Sequence, residues 1–188
     1  MKDPTQVFAD SAYLRRTSRI DRQRLLAIDT WLQTLLDDGS PLLRQTHYFH
    51  GRYENLYIDG PDGTTGNGDL DELIAEGLDW SAQIFDTRPD QLRIGFWFNL
   101  MQPGQVTTLH RHDDFDEMLS GVVYLKVPEQ SGDLVLVLDE REISLPPVMG
   151  DFVFFSPKTP HRVEQNRSNS RRLSIGMNIG PAQQSPAG

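Results

Sequence analysis

Past Gln91 the chain breaks into short runs rich in Val, Ile, Leu and Phe, each closed by Pro, Gly, Asp or Asn before a long helix could form. Strands are expected at 92–101, 106–112, 121–127, 133–138, 151–155, 162–165 and 172–179. So many short strands bury an apolar face only by closing into a barrel or by stacking as a sandwich. The expected class is mainly β (α+β).

The preceding half has a different period. Leu25, Ile28, Trp31, Leu32, Leu35 and Leu36 recur at helical spacing, with Gly39 as a stop signal, which predicts a helix over 21–36. Leu70, Leu73, Ile74, Leu78, Ala82 and Phe85 predict a second helix, with Asp69 as its cap and Pro89 ending the region. Between them, the Gly-Pro, Asp-Gly and Asn-Gly steps of 60–68 predict a loop, a candidate lid. The expected layout is one domain over 1–180, with helical support over 1–90 packed outside a barrel core over 91–180. Residues 181–188 read as a disordered tail.

A chain of 188 residues buries roughly 70% of its unfolded surface, ample for one core. Lys plus Arg number 18 against 27 Asp plus Glu, a net charge of −9 that argues against a nucleic-acid partner. With no cysteine, disulfides, thiolate metal sites and a thiol nucleophile are excluded, so any metal must be held by nitrogen and oxygen. No apolar run approaches the ~18 residues of a membrane span, and the first residues lack a secretory pattern, so a cytoplasmic location is expected. Arg15, Arg16, Arg19, Arg22 and Arg24 form a basic cluster, either an anion site or a solvated face.

Histidines carry the chemistry. Residues two apart on a strand share a face, so His110 and His112 can aim both imidazoles at one point, and Asp114 continues that parity. His161 follows the strand 151–155 and a turn through Pro157 and Pro160. Imidazole and carboxylate ligands suit iron, manganese, zinc or nickel, and three ligands on one face leave positions open for substrate or oxygen. His47 and His50 read as surface or substrate-region residues.

Trp97-Phe98-Asn99, Pro103-Gly104, His110-Arg111-His112 and the run Ser120-Gly121-Val122-Val123-Tyr124-Leu125 stand in an order that continues downstream. Ser131-Gly132, Gly150-Asp151-Phe152-Val153-Phe154-Phe155, Pro160-His161 and Arg172-Leu173-Ser174-Ile175 with Asn178 complete it. Together, over 92–179, they resemble the short iron(II)- and 2-oxoglutarate-dependent oxygenases. The earlier half, including Arg52-Tyr53-Glu54-Asn55, is similar only in general layout. The resemblance implies a double-stranded β-helix, a jelly-roll and cupin-like barrel, that uses Fe(II), 2-oxoglutarate and O2. It also implies a His-x-Asp or His-x-Glu pair with a distant His as metal ligands, and an Arg after the distant His that binds the far carboxylate of 2-oxoglutarate. Arg172, eleven residues past His161, matches that position. Ser174 shares its face, and Tyr124 is placed to add a hydrogen bond.

One departure stands out: His112 occupies the place of the expected carboxylate. Either His110, His112 and His161 hold the metal, the preferred set, or His112, Asp114 and His161 do. A competing resemblance is to the cupins. Gly104, His110-x-His112 and Glu117 match their first motif, which would make Glu117 a fourth ligand, while Pro157, Lys158-Thr159 and Asn166 fit the second motif only approximately. Such a protein would be an isomerase or a dioxygenase needing no 2-oxoglutarate; a non-enzymatic ligand-binding barrel is the third reading. The Ser-Gly-Val-x-Tyr-Leu and Arg-x-Ser-Ile-x-x-Asn runs favour the oxygenase, an enzyme expected to hydroxylate a small molecule or a peptide side chain. Asp113, Asp114, Asp116 and Glu117 suggest a cationic substrate or else a solvated turn. Phe96, Phe98, Leu100, Phe152 and Phe154 are expected walls of the barrel, half of them facing outward, and homo-oligomerisation is left open.

Overall fold

The computed structural model describes residues 1–49, 51–60, 64–112, 116–139 and 141–182. In chain order these form α1 (Pro4–Val7), β1 (Tyr13–Thr17), α2 (Arg22–Asp37), β2 (Leu43–Phe49), β3 (Arg52–Ile58) and α3 (Gly68–Phe85). A 3-10 turn at Pro89–Gln91 leads into the barrel: β4 (Leu92–Met101), β5 (Thr107–His110), β6 (Leu119–Lys126), β7 (Leu134–Leu138), β8 (Arg141–Leu145), β9 (Asp151–Phe155), β10 (His161–Val163) and β11 (Arg172–Pro181). Pro181 and Ala182 of the predicted tail belong to the fold instead, since Pro181 closes β11 and the Ala182 N–H donates to the Gln91 carbonyl at 2.9 Å; residues 183–188 and part of the predicted lid lie outside the described residues.

The strands build two antiparallel sheets, a seven-stranded one in the order β1-β9-β6-β11-β4-β3-β2 and a four-stranded one in the order β5-β10-β7-β8. From β4 onward the chain passes back and forth between the sheets, so the fold is the double-stranded β-helix. Its spine is the β11–β4 ladder, paired without interruption from Arg172 opposite Met101 to Pro181 opposite Leu92.

The first ninety residues are less helical than their periodicity suggests. They also supply β1, which pairs with β9, and the β2–β3 hairpin, which joins β4 through Leu56 opposite Phe98. β2 is an edge strand with mostly exposed side chains, so it has no apolar alternation to read. The second helix begins two residues earlier than Asp69 implies: Asn67 is its cap, accepting the Leu70 N–H at 3.0 Å. Asp69 sits in the first turn instead and accepts from Arg24 Nε at 2.7 Å. The basic cluster is largely spent on internal contacts. Arg15 pairs with Asp151 at 3.0 Å, Arg19 with Glu76 at 3.3 Å, and Arg16 lies over the Trp80 ring.

The main core lies between the seven-stranded sheet and the two long helices. Leu25, Ile28 and Leu32 of α2, with Leu70 and Leu73 of α3, pack with Phe98, Phe152, Phe154 and Ile175. At Gly77 α3 comes so close that a Cβ would meet Met177 Sδ at 3.2 Å and Phe152 Cε1 at 3.3 Å. A second core fills the space between the sheets: Tyr124, Leu134, Leu136, Leu145, Val153 and Phe155. The expected barrel walls need correction here. Phe96, Phe98, Leu100, Phe152 and Phe154 all pack on the helix side, and their strand neighbours Trp97, Asn99 and Phe155 line the interior. Both faces of these strands are buried and both look apolar, so the sequence does not say which is which. Among the described residues no helix is long and apolar enough to cross a membrane.

Replacing Phe98, fully buried against the helices, by Ala is expected to cost about 3–5 kcal/mol of folding stability. Urea unfolding measures that loss. Because the ring faces away from the interior, divalent-metal affinity should stay at the wild-type value.

Candidate active site

Strand pairing brings the imidazoles together. β5 ends at His110 and β10 begins at His161, and the two residues are direct cross-strand partners, with ring centroids 4.2 Å apart. His112 lies just past β5, where its N–H donates to the Pro157 carbonyl at 2.9 Å, tying it to the turn that precedes β10. Its ring is 4.9 Å from that of His110 and 5.2 Å from that of His161. The ligand atoms of all three lie within 4.8 Å of one another. Asp114, the alternative ligand, and Asp113 lie outside the described residues. Among the described residues the cluster includes no carboxylate, and Glu117 stands on the wall of an outer pocket instead.

The rings are oriented by their own strands. His110 Nδ1 is 2.7 Å from the Thr108 carbonyl, and His161 Nδ1 is 3.0 Å from the Thr159 carbonyl. A carbonyl only accepts, so each Nδ1 carries a proton and Nε2 is the nitrogen left to meet a metal. Burial, reinforced by the neighbouring imidazoles, depresses His112 to about 4 and His161 to about 3. Both are therefore neutral at neutral pH, the state in which imidazole binds a metal.

Alternate residues of β11 supply a different chemistry to the same cavity, with Arg172, Ser174 and Gly176 facing inward. The register aligns Ser174 with Asn99 of β4 on one side and Tyr124 of β6 on the other. Arg172 is 1% exposed. Its Nη1 donates to the carbonyls of Gly132 at 2.5 Å and Ser131 at 3.3 Å, and its guanidinium carbon lies 5.3 Å from the centre of the Tyr124 ring. No carboxylate among the described residues pairs with it. Arg172 Nε, Tyr124 Oη, Ser131 Oγ and Asn99 Oδ1 are buried with no hydrogen-bond partner among the described residues. An uncompensated buried cation and stranded polar atoms are costly unless an outside group completes them. Burial also raises Tyr124 to about 12, so its hydroxyl stays protonated and able to donate. A dicarboxylate with a metal-chelating end fits this donor set.

Outside the imidazoles a vestibule of 320 Å³ opens, lined by His47, Asn55, Tyr57, Arg93 and Glu117 among others. Trp97 and His112 border both this vestibule and the inner cavity. The Trp97 indole lies directly on Gly176, where a Cβ would come within 2.6 Å of it. A larger depression of 690 Å³, lined by Phe8, Asp10, Leu138 and Arg141, shares no residue with either and has no imidazole. Trp97, Asn99 and Ser131 were not anticipated as site residues. Only the strand parity of Asn99 with Trp97 could have flagged them, and that parity was open.

Residues 96–180 match the sequence model of the 2OG-Fe(II) oxygenase superfamily. The barrel is similar to the 2OG-Fe(II) oxygenases over that span. Members of this family use Fe(II), 2-oxoglutarate and O2. No curated protein matches the chain by sequence. Solved structures share the fold at low identity. A prolyl-4-hydroxylase from Pseudomonas putida superposes with a TM-score of 0.70 at 19% identity, covering 94% of this chain and 96% of that one. The carbocyclase SnoK from nogalamycin biosynthesis gives 0.71 at 15%, covering 95% and 83%. The epimerase SnoN, solved with Fe3+, alpha ketoglutarate and nogalamycin RO, gives 0.70 at 15%, covering 96% and 85%.

The depressed histidines make the metal-free protein acid-sensitive. Between the usual 6.5 and about 4, an unfolded chain binds protons that folded His112 and His161 refuse. Stability therefore rises with pH in that window and falls as pH drops through it. Melting temperatures of the metal-free protein should decline from pH 6.5 to 4, with a flatter profile in the double variant His112→Asn, His161→Asn. Parallel profiles would show that the two rings do not titrate as stated.

Proposed function

We propose that this chain is an Fe(II)- and 2-oxoglutarate-dependent dioxygenase whose metal is held by Nε2 of His110, His112 and His161. The observation that carries the reading is Arg172, a buried cation without a carboxylate partner among the described residues, which lines the same cavity as three converging imidazoles. Arg172 binds the far carboxylate of 2-oxoglutarate, with Ser174 and the protonated Tyr124 hydroxyl as further donors. A guanidinium suits this role because its planar fork meets a carboxylate through parallel hydrogen bonds. When bound, Fe(II) supplies the redox chemistry in which O2 converts 2-oxoglutarate to succinate and CO2 and places its second oxygen atom on a substrate carbon. The protein aims that chemistry.

The neutral imidazoles of His112 and His161 present lone pairs without first losing protons, and the Nδ1 contacts of His110 to Thr108 and of His161 to Thr159 keep those rings from turning. Phe155, whose ring is 4.7 Å from that of His161, and Trp97, 5.4 Å from His112, keep water from the centre. The substrate enters by the vestibule, whose 320 Å³ suits a small molecule or one side chain of a peptide. Structural neighbours include enzymes of both kinds: SnoK and SnoN of nogalamycin biosynthesis, and a prolyl hydroxylase from Trichoplax adhaerens solved with a peptide fragment. The acidic run is a weaker guide to a cationic substrate, because Asp116 is paired with Arg93.

Anaerobic addition of Fe(II) and 2-oxoglutarate should give the weak visible band of the chelate without any substrate. Arg172→Ala should raise the 2-oxoglutarate dissociation constant at least about 100-fold, the order expected when a buried charge loses its partner. An unchanged constant would remove Arg172 from the site. His110→Ala should lose metal binding while Asp114→Asn keeps it; the reverse result would establish the alternative ligand set.

A further inference from the structure

β5 delivers His110, yet it is a poorly secured strand. It has four residues, lies at the end of the four-stranded sheet, and pairs with β10 only at His161–His110 and Val163–Thr107, across a register shift. Its outer edge meets two side chains of β3 instead of another strand. Arg52 Nη2 donates to the Val106 carbonyl at 2.8 Å and to Thr107 Oγ1 at 3.0 Å, and its Nη1 donates to the Leu100 carbonyl at 3.2 Å. Glu54 grips a single residue: Oε1 accepts the Thr108 N–H at 3.2 Å and Oε2 accepts the Thr108 hydroxyl at 3.3 Å. The Arg52 and Glu54 side chains are each 6% exposed and 3.7 Å apart, close enough for charge compensation but too far for a hydrogen bond.

The Thr108 carbonyl is the acceptor that fixes the His110 ring. On the reading that His110 binds the metal, we infer that Glu54 is a positioning residue for the metal centre, holding Thr108 so that its carbonyl orients the His110 imidazole. Apolar side chains of similar volume would fasten β3 to β5 at least as well, since a buried ion pair gives little net stability. They would not fix the orientation of Thr108, whose Cα joins the N–H held by Glu54 to the carbonyl that meets His110 Nδ1. A carboxylate that accepts from both the backbone and the side chain of one residue does so.

The test is Mn(II) affinity of the metal-free full-length protein, measured by electron paramagnetic resonance, together with the visible spectrum of the Co(II)-loaded form. Glu54→Leu should weaken Mn(II) binding about 10- to 100-fold, the loss typical when the group orienting a ligand is removed, and should shift the Co(II) bands. Glu54→Gln should restore near wild-type affinity, because its amide can accept from the Thr108 N–H and donate to the Thr108 hydroxyl. Phe98→Ala is the control for instability alone, losing stability without losing affinity. A folded Glu54→Leu protein with wild-type affinity overturns the inference, as does a Glu54→Gln protein as weak as Glu54→Leu. If Glu54→Leu does not fold, Thr108→Val decides, since it removes only the hydroxyl bond: several-fold weaker binding supports the role, and unchanged binding overturns it. Failure of the wild type itself to bind Mn(II) would instead bring down the metal reading, and this inference with it.

Discussion

The register between β4, β11 and β6 is the constraint on which the molecule depends. Side chains on a strand alternate, so one registration sorts every residue of this spine to the helices or to the interior. Phe98, Phe154 and Ile175 go to the helices, while Asn99, Ser174 and Tyr124 form a row inside. A slip of one residue would put Ile175 where Ser174 stands and press Arg172 into a hydrocarbon layer. The apolar face against α2 and α3 thus enforces the polar face of the cavity, and the energy that folds the protein also orders its chemistry.

That cavity joins two opposite electrostatic problems. At one place burial keeps imidazoles from taking up protons, and at another it strands a guanidinium that stays charged. On the proposed ligand set, imidazoles would leave a divalent ion with its full charge, and the buried guanidinium adds another positive charge. Low local dielectric makes an anionic cosubstrate the natural complement to both. An aspartate in the place of His112 would cancel part of the metal's charge and weaken that preference.

Much of this was legible in the sequence, for reasons that can be named. β4 and β9 are bounded by sharp turn residues, and their observed limits coincide with the predicted ones. The shared face of Arg172 with Ser174 follows from strand parity alone, whereas His112, just past the end of β5, is brought to His110 by its N–H bond to the Pro157 carbonyl. Less was legible where the deciding interaction is tertiary. β1 and the β2–β3 hairpin are strands because a barrel offers them an edge, which their own arginine-rich and polar residues do not announce. Asn67 takes the cap from Asp69 because Arg24, on another helix, engages the aspartate. Arg52 and Glu54 look like ordinary strand polar residues until β5 is laid beside them.

The shared border of the two chambers has a thermodynamic consequence. One indole and one imidazole, Trp97 and His112, face the inner cavity on one side and the vestibule on the other. Whatever occupies either chamber sets the position of a wall belonging to both. If the first occupant moves that wall and changes the second one's affinity by some factor, the second must change the first's affinity by the same factor. Under the proposed function, cosubstrate and substrate would each be a gatekeeper for the other, by way of a ring seated on a glycine.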